Sequence, residues 1–178
     1  MTDLLNFWNQ HTPIFSILLP AFTAFVLVLL GNPGSGSLAT DWRQPWRRGI
    51  SYVSSILGLI IAVSYLVDSS QGQINVYTLG EWVAPFGIVL VLDQLSAMML
   101  VLTYALAVPV LWYASKEWDM RGRYFHAMVH FLLMGLTGAF LTGDLFNLFV
   151  FFEILLMASY VPVSYTHLTL PTNREVWL

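Results

Sequence analysis

Leu145-Phe146-Asn147-Leu148-Phe149-Val150-Phe151-Phe152-Glu153-Ile154-Leu155-Leu156-Met157-Ala158-Ser159-Tyr160 is an apolar run with one carboxylate, Glu153, midway along it. Aliphatic and aromatic residues sustained over this length, with Asp144 just before them, predict a helix that enters a bilayer. Glu153 has about 8 helical residues before it. At about 1.5 Å per residue it lies roughly 12 Å from the helix start, deep within a hydrocarbon core about 30 Å thick. Ionised in lipid, it costs about 2.5–3.5 kcal/mol on insertion scales. A side chain that costly is expected to face a polar interior and to handle protons. The competing reading is a permanently protonated glutamate, hydrogen-bonded to a neighbouring helix. Phe146, Phe149, Leu156, Met157 and Tyr160 share its helix face and offer neither carboxylate nor cation, so any partner must come from another helix.

Composition extends that reading to the whole chain. Of 178 residues, 57% are apolar and only 10% are charged, and the mean hydropathy is +0.70. A soluble domain carries about 25% charged residues, so a globular enzyme core is ruled out and a multi-pass membrane protein is expected. Net charge is −3 and no cationic cluster exceeds Arg47-Arg48, which argues against a nucleic-acid partner. The absence of cysteine excludes disulfides, thiolate metal sites and cysteine nucleophiles. Met1 to Thr12 holds no Lys or Arg, so a cleavable signal lacks its charged start, and the first apolar segment is expected to remain as an anchor.

Five apolar spans follow from the hydropathy pattern, at about residues 13–30, 50–67, 93–113, 125–141 and 144–161. Each is long enough for a helix to cross the hydrocarbon, and lipid leaves the backbone no other way to satisfy its polar groups. The expected fold class is therefore an all-α membrane protein of five transmembrane helices. Gly31-Asn32-Pro33-Gly34-Ser35-Gly36 ends the first span, and Asp93 and Asp144 stand at N-cap positions. Pro20 and Pro109 fall inside spans and are expected to kink them. The stretch from Ile74 to Leu92, with Gly80, Pro85 and Gly87 among β-branched residues, reads as a loop of hairpin character between spans two and three. Arg43, Arg47, Arg48, Lys116, Arg121 and Arg123 all fall between spans one and two or three and four. The positive-inside rule then puts those loops in the cytoplasm and the N-terminus outside. Ser54, Gly58 and Ala62, and again Gly135 and Ala139, form small-residue rows suited to close helix packing. Beyond residue 161 the membrane composition stops abruptly. Residues 162–178 are expected to be a non-native read-through tail, and His167, Arg174 and Glu175 are assigned no function.

Few other residues invite chemistry. His126 and His130 share a face near the cytoplasmic entrance of span four. They suit a proton-entry role because histidine titrates near neutrality, and they equally suit interfacial hydrogen bonding and packing. No third ligand accompanies them, so no metal is expected. Asn147 is placed one turn inside span five, to bond across helices or to line a hydrated path. Capping accounts for Asp93 and Asp144, and Lys116 is an orientation charge. No cofactor is implied.

Two stretches carry a family resemblance. Residues 81–99, EWVAPFGIVLVLDQLSAMM, resemble the approach to the third helix of the D subunit of multisubunit Na⁺/H⁺ antiporters of the Mrp type. Residues 142–153, TGDLFNLFVFFE, resemble the fifth helix of that subunit. The wider family includes the antiporter-like, proton-pumping subunits of respiratory complex I. The resemblance covers about residues 13–161. It implies a fold of about fourteen helices with two inverted five-helix repeats, of which this chain is the N-terminal part. It also implies that Glu153 corresponds to a fifth-helix glutamate working with a lysine on a seventh helix, which this chain does not contain.

The expected function is that of a fragment of a proton-translocating antiporter subunit, not an enzyme, with Glu153 as the intramembrane proton site. His126, His130 and Asn147 are candidates for proton entry or a hydrated path. Its partners would be other membrane subunits of a hetero-oligomeric complex, the lipid bilayer, protons and a monovalent cation, with Na⁺ expected. It would sit in the plasma membrane of a prokaryote. Two alternatives remain: a proton-pumping subunit of an NADH-quinone oxidoreductase or membrane-bound hydrogenase, and a non-conducting membrane scaffold.

Overall fold

The computed structural model describes the backbone of residues 2–31, 44–70, 72, 74–81, 87–116 and 124–167, and the side chains of 11–31, 44–70, 72, 74–80, 87–116 and 124–160. Within these residues the chain forms α1 (Thr2–Leu29), α2 (Gln44–Ser69), β1 (Asn75–Thr78), β2 (Val89–Leu92), α3 (Gln94–Ala114), α4 (Phe125–Leu141) and α5 (Leu145–His167). Arg43, Arg121, Arg123, Gly34-Ser35-Gly36, Trp82 to Phe86, Arg174 and Glu175 lie outside the described residues.

Helices α1, α2 and α3 are long and apolar enough to cross a membrane, while α4 and the side-chain-described part of α5, Leu145–Tyr160, are shorter apolar helices. Which residues each helix hides is as telling as its length. On α2 the buried row is Ser51, Ser54, Ser55, Gly58, Ala62, Tyr65 and Ser69. Its exposed face carries Val53, Ile56, Leu57, Ile60, Val63 and Val67. In water this arrangement would be inside out. In lipid it is the stable one, because tails solvate aliphatic side chains and only neighbouring helices can satisfy hydroxyls. The fold is thus mostly helical and built for a bilayer.

Several helices extend beyond the expected spans. α1 begins at Thr2, well before residue 13, and α5 runs on to His167, past residue 161. α2 begins at Gln44 with Pro45 in its first turn, where a proline lacks nothing the helix needs. Arg47 and Arg48 therefore stand on the helix and not in a connecting loop, and Arg47 is buried. Hydropathy finds only the part of a helix that lipid would cover, so it misses polar first turns.

α4 sits at the centre, against α1 on one side, α5 on another, and α3 and α2 across the interior. Close approach depends on glycines. A Cβ on Gly135 would lie 2.8 Å from Leu155 Cγ, and one on Gly138 would strike the Phe151 ring, so α4 and α5 pack nearly backbone to side chain. Gly58 of α2 plays the same part against Tyr104 of α3, whose Cζ a Cβ would meet at 2.6 Å. Thr23 Oγ1 donates to Ser54 Oγ at 2.8 Å between α1 and α2, and Tyr52 OH donates to Ser115 Oγ at 2.8 Å between α2 and α3.

The stretch after α2 forms an antiparallel hairpin, with Asn75 paired to Leu92 and Thr78 to Val89. A 3-10 turn at Leu79–Glu81 follows β1, and Gly80 occupies it at φ 69, a conformation costly for any side chain. The hairpin is tied to α1 through His11 Nδ1 and Tyr77 OH, 3.0 Å apart.

Gly58→Ala should lower unfolding stability by about 1–3 kcal/mol, because Tyr104 must shift and it is held in place by a bond to Thr137. Gly49→Ala, where an added Cβ meets nothing within 4 Å, should be neutral or stabilising by up to about 1 kcal/mol. Thermal melts of both variants in detergent check the contrast; equal effects would remove the packing argument.

Candidate functional site

The start of α5 is fixed from two directions. Asp144 Oδ1 accepts the backbone N–H of Asn147 at 2.6 Å, satisfying one of the helix's orphan donors. Its Oδ2 faces the N–H of Val89 at 3.4 Å, and Gly143 N–H donates to Val89 carbonyl at 2.7 Å. Leu90 and Thr142 form a further bridge. The turn between α4 and α5 thus lies alongside β2, joined to the two-stranded sheet by a single bridge. Asn147 is buried, and its Nδ2 donates to Thr142 Oγ1 at 3.1 Å. Its bond is local to that turn, not across helices as the sequence suggested.

This clamp sets the depth of Glu153. Nine residues along the helix from Asp144 correspond to about 13 Å of rise. Gly135 meets Leu155 and Gly138 meets Phe151, so the two helices run antiparallel and Glu153 is level with residues 136–137 of α4. Its direction departs from expectation. Phe151 and Ala158 turn inward to α4, whereas Glu153 is exposed on the opposite face. Phe146, Phe149, Leu156, Met157 and Tyr160 are exposed with it, Phe146 at 80%. The carboxylate does not face a polar interior among the described residues, because the packed side of α5 is committed to α4. The face it shares is the uncovered one.

His126 and His130 do lie together, and they are buried at 2% and 0% exposure. Between them sits Ser51 of α2, whose Oγ is 3.2 Å from His126 Nδ1 and 3.4 Å from His130 Nε2. Arg47, one turn earlier on α2, is buried near the same helix end. Further along the interior, Tyr104 OH and Thr137 Oγ1 are 3.3 Å apart. Sequence reasoning missed Ser51, Tyr104 and Thr137, and treated Arg47 only as an orientation charge. The available signal was the spacing Arg47, Ser51, Ser55 at every fourth residue of an apolar helix, which matches the spacing of His126 and His130. The imidazoles and hydroxyls thus form two hydrogen-bonded clusters, His126, Ser51 and His130 in one and Tyr104 with Thr137 in the other, and Glu153 lies on the far side of α4 from both.

At the outer edge, Asp93 caps α3 by accepting the Ser96 N–H at 2.7 Å. The Ser96 hydroxyl and then its amide hold the Asp93 carboxyl below the usual carboxylate range.

No family model matches the chain. It is 44% identical over 165 residues to the probable K⁺/H⁺ antiporter D subunit of Rhizobium meliloti, covering 90% of this chain and 28% of that protein. It is 40% identical over 150 residues to the Na⁺/H⁺ antiporter D subunit of Alkalihalophilus pseudofirmus, covering 83% of this chain and 28% of the relative. The chain is a homologue of antiporter D subunits. It spans a little over a quarter of the length of these curated relatives. Among solved structures, a chain of the Mrp complex from Dietzia sp. DQ12-45-1b superposes with a TM-score of 0.74 at 30% identity, over 85% of this chain and 26% of that one. A chain of an archaeal membrane-bound sulfane sulfur reductase superposes at 0.70 with 24% identity, over 86% and 33%, which shows a shared fold. The antiporter-subunit homologues and the apolar helices together mark the chain as a multi-pass membrane protein.

Asp144→Ala should cost about 0.5–2 kcal/mol through the lost cap and should loosen β2 as well. Hydrogen exchange at the Asn147 and Val89 amides reads both effects, and protection unchanged at Val89 would refute the second tie. Asp93 titrates with a definite sign. Because its folded value is depressed, its stabilisation is complete above the ordinary aspartate value of about 3.9 and is lost as pH falls through the folded value. The melting-temperature gap between the parent chain and Asp93→Ala should therefore be constant from pH 7 to about 4 and should close below that.

Proposed function

We propose that this chain is part of a proton-translocating subunit of a multisubunit monovalent cation/proton antiporter, with Glu153 as its intramembrane proton site. One observation carries the reading. A lone carboxylate lies mid-helix in α5, within a chain homologous over most of its length to antiporter D subunits. A hydrophobic residue would occupy that position at lower cost, so the carboxylate is retained for what it exchanges. The homologues point to a transporter subunit and not to a catalytic enzyme.

The same reading takes all five helices as spans, with the N-terminus outside. Antiparallel contacts between successive helices support it, as do Arg47, Arg48 and Lys116 at one end of the bundle and the hairpin at the other. His126 and His130 then stand near the cytoplasmic end, where a proton would enter. The membrane is read as a prokaryotic plasma membrane, and the partners as the other membrane subunits of the complex. The exchanged cation is read as Na⁺; relatives of comparable identity are named for K⁺ and for Na⁺, so the assay should offer both.

The test is cation-dependent proton exchange in everted vesicles carrying the full-length subunit in its complex. Glu153→Gln and Glu153→Ala should abolish exchange with either cation while the complex still assembles. Normal exchange with either substitution would sink the proton-site reading, and loss of assembly in both would favour a scaffold.

A further inference from the structure

The side of α2 that carries Ser51 forms a polar seam with α4. The flank that faces α1 is of another kind. Tyr65 OH donates to the Thr12 carbonyl, and Thr23 Oγ1 meets Ser54 Oγ. The two helices therefore run antiparallel, and Ile50 stands level with Leu27. Leu27 is buried and does not turn toward α2's outer flank. From the Thr23–Ser54 contact toward the start of α2, the helices part around a groove of about 590 Å³. Its long wall is α2, from Trp46 through Gly49 and Val53 to Leu57, while α1 adds Leu19 and Thr23 at the inner end. Trp46, Val53 and Leu57 are exposed, so the groove opens to lipid. A Cβ on Gly49 would meet nothing within 4 Å, so the missing side chain leaves width there.

Polarity, size and charge decide what fits. The two hydroxyls of the lining bond to each other and to the Leu19 carbonyl. No wall group is left to ask for a polar ligand, and a water would find too few partners. A helix about 10 Å across fills about 420 Å³ per turn, so the groove has room for little more than one turn and cannot seat a partner's helix. An extended alkyl chain suits it better. Trp46 to Leu57 is about 16 Å of rise, close to half of a hydrocarbon core of about 30 Å, which is the depth of one leaflet. Tails alone select nothing, because every lipid has them. The mouth does select. It lies at the start of α2, where the helix presents the positive end of its dipole. Arg47 and Arg48 follow there, and the first turn holds no acidic residue. Trp46 lines that mouth, and tryptophan is favoured at the level of the headgroups.

We propose that this groove binds one anionic phospholipid, with an acyl chain lying from Trp46 to Leu57 and the phosphate at the start of α2. The assignment uses α1 and α2 as membrane-crossing helices and owes nothing to Glu153.

The test places the full-length subunit, in its complex, in phosphatidylcholine vesicles holding a small fraction of phosphatidylglycerol with a diazirine midway along one acyl chain. After irradiation, adducts are mapped by mass spectrometry. They should concentrate at Val53 and Leu57, several-fold over Ile60 and Val63, which are exposed on the same helix beyond the groove. The same diazirine carried on phosphatidylcholine should show no such preference. Gly49→Phe puts a ring into the groove and should erase the preference, leaving labelling at Ile60 and Val63 unchanged. Equal labelling of all four positions in the parent subunit would mean bulk lipid only and would overturn the site. So would unlabelled Val53 and Leu57, which would show polypeptide covering the groove. A preference shared by the phosphatidylcholine probe would overturn the anionic headgroup. The decisive comparisons use the parent subunit and need no transport, so neither a failure of Gly49→Phe to assemble nor a failure of the proton-site reading blurs them.

Discussion

Lipid offers no hydrogen bonds, and the architecture follows from where that forces polarity to go. A hydroxyl, imidazole or guanidinium in the spanning region is costly unless it finds a partner between helices, bonds to its own backbone or holds a water. The result is an interior in which leucines and alanines are interleaved with serines, threonines, tyrosines, histidines and glycines, wrapped in exposed valine, isoleucine, leucine and phenylalanine. Because association in lipid gains little from burying apolar surface, tight contact has to come from small residues. Gly58 against Tyr104, and Gly135 and Gly138 against α5, are where this fold obtains it. The glycines and the polar seam are linked, since the ring that fills the space over Gly58 is the one whose hydroxyl reaches Thr137.

The hairpin and the turn at Asp144 act on a different quantity, the depth of α5. A helix held only by lateral packing can slide, because neighbouring rungs of side chains resemble one another. Capping by Asp144 and pairing of Gly143 with Val89 remove that freedom at one end. Gly143 is the residue that admits the pairing, since a Cβ there would lie 2.7 Å from Val91 Cγ2. A slip of one residue would carry Glu153 about 1.5 Å along the axis and change its neighbours. Anchoring α5 to β2 therefore bears on the position of the carboxylate roughly two and a half turns away.

What could be read from sequence divides along the same physical lines. Apolar windows located the bodies of all five helices and placed α4 at residues 125–141, its observed bounds. Local chemistry identified Asp93 and Asp144 as caps, because a cap involves residues only three apart. The four-residue spacing of His126 and His130 correctly placed them on one face. Long-range facts were not legible. That Ser51 stands between the two imidazoles depends on the register of two helices separated by 75 residues in the chain. Arg47 was read as a loop charge because polar first turns fall outside a hydropathy window. The facing of Glu153 on α5 was not legible for a similar reason. Its depth follows from counting along α5, but its facing follows from which side of α5 the glycines of α4 select.

That facing constrains how the carboxylate can work. An ionised glutamate on a lipid-exposed surface carries the insertion penalty in full, and aromatic neighbours such as Phe149 and Phe152 relieve none of it. On the proposed reading of Glu153, a partner for the carboxylate must come to the exposed face of α5, because the other side is closed by Phe151 and Ala158. The polar seam reaches the same depth behind α4 and lacks any carboxylate of its own. Under the proposed function, α4 therefore stands between the seam and Glu153, and a route joining them has to pass around it.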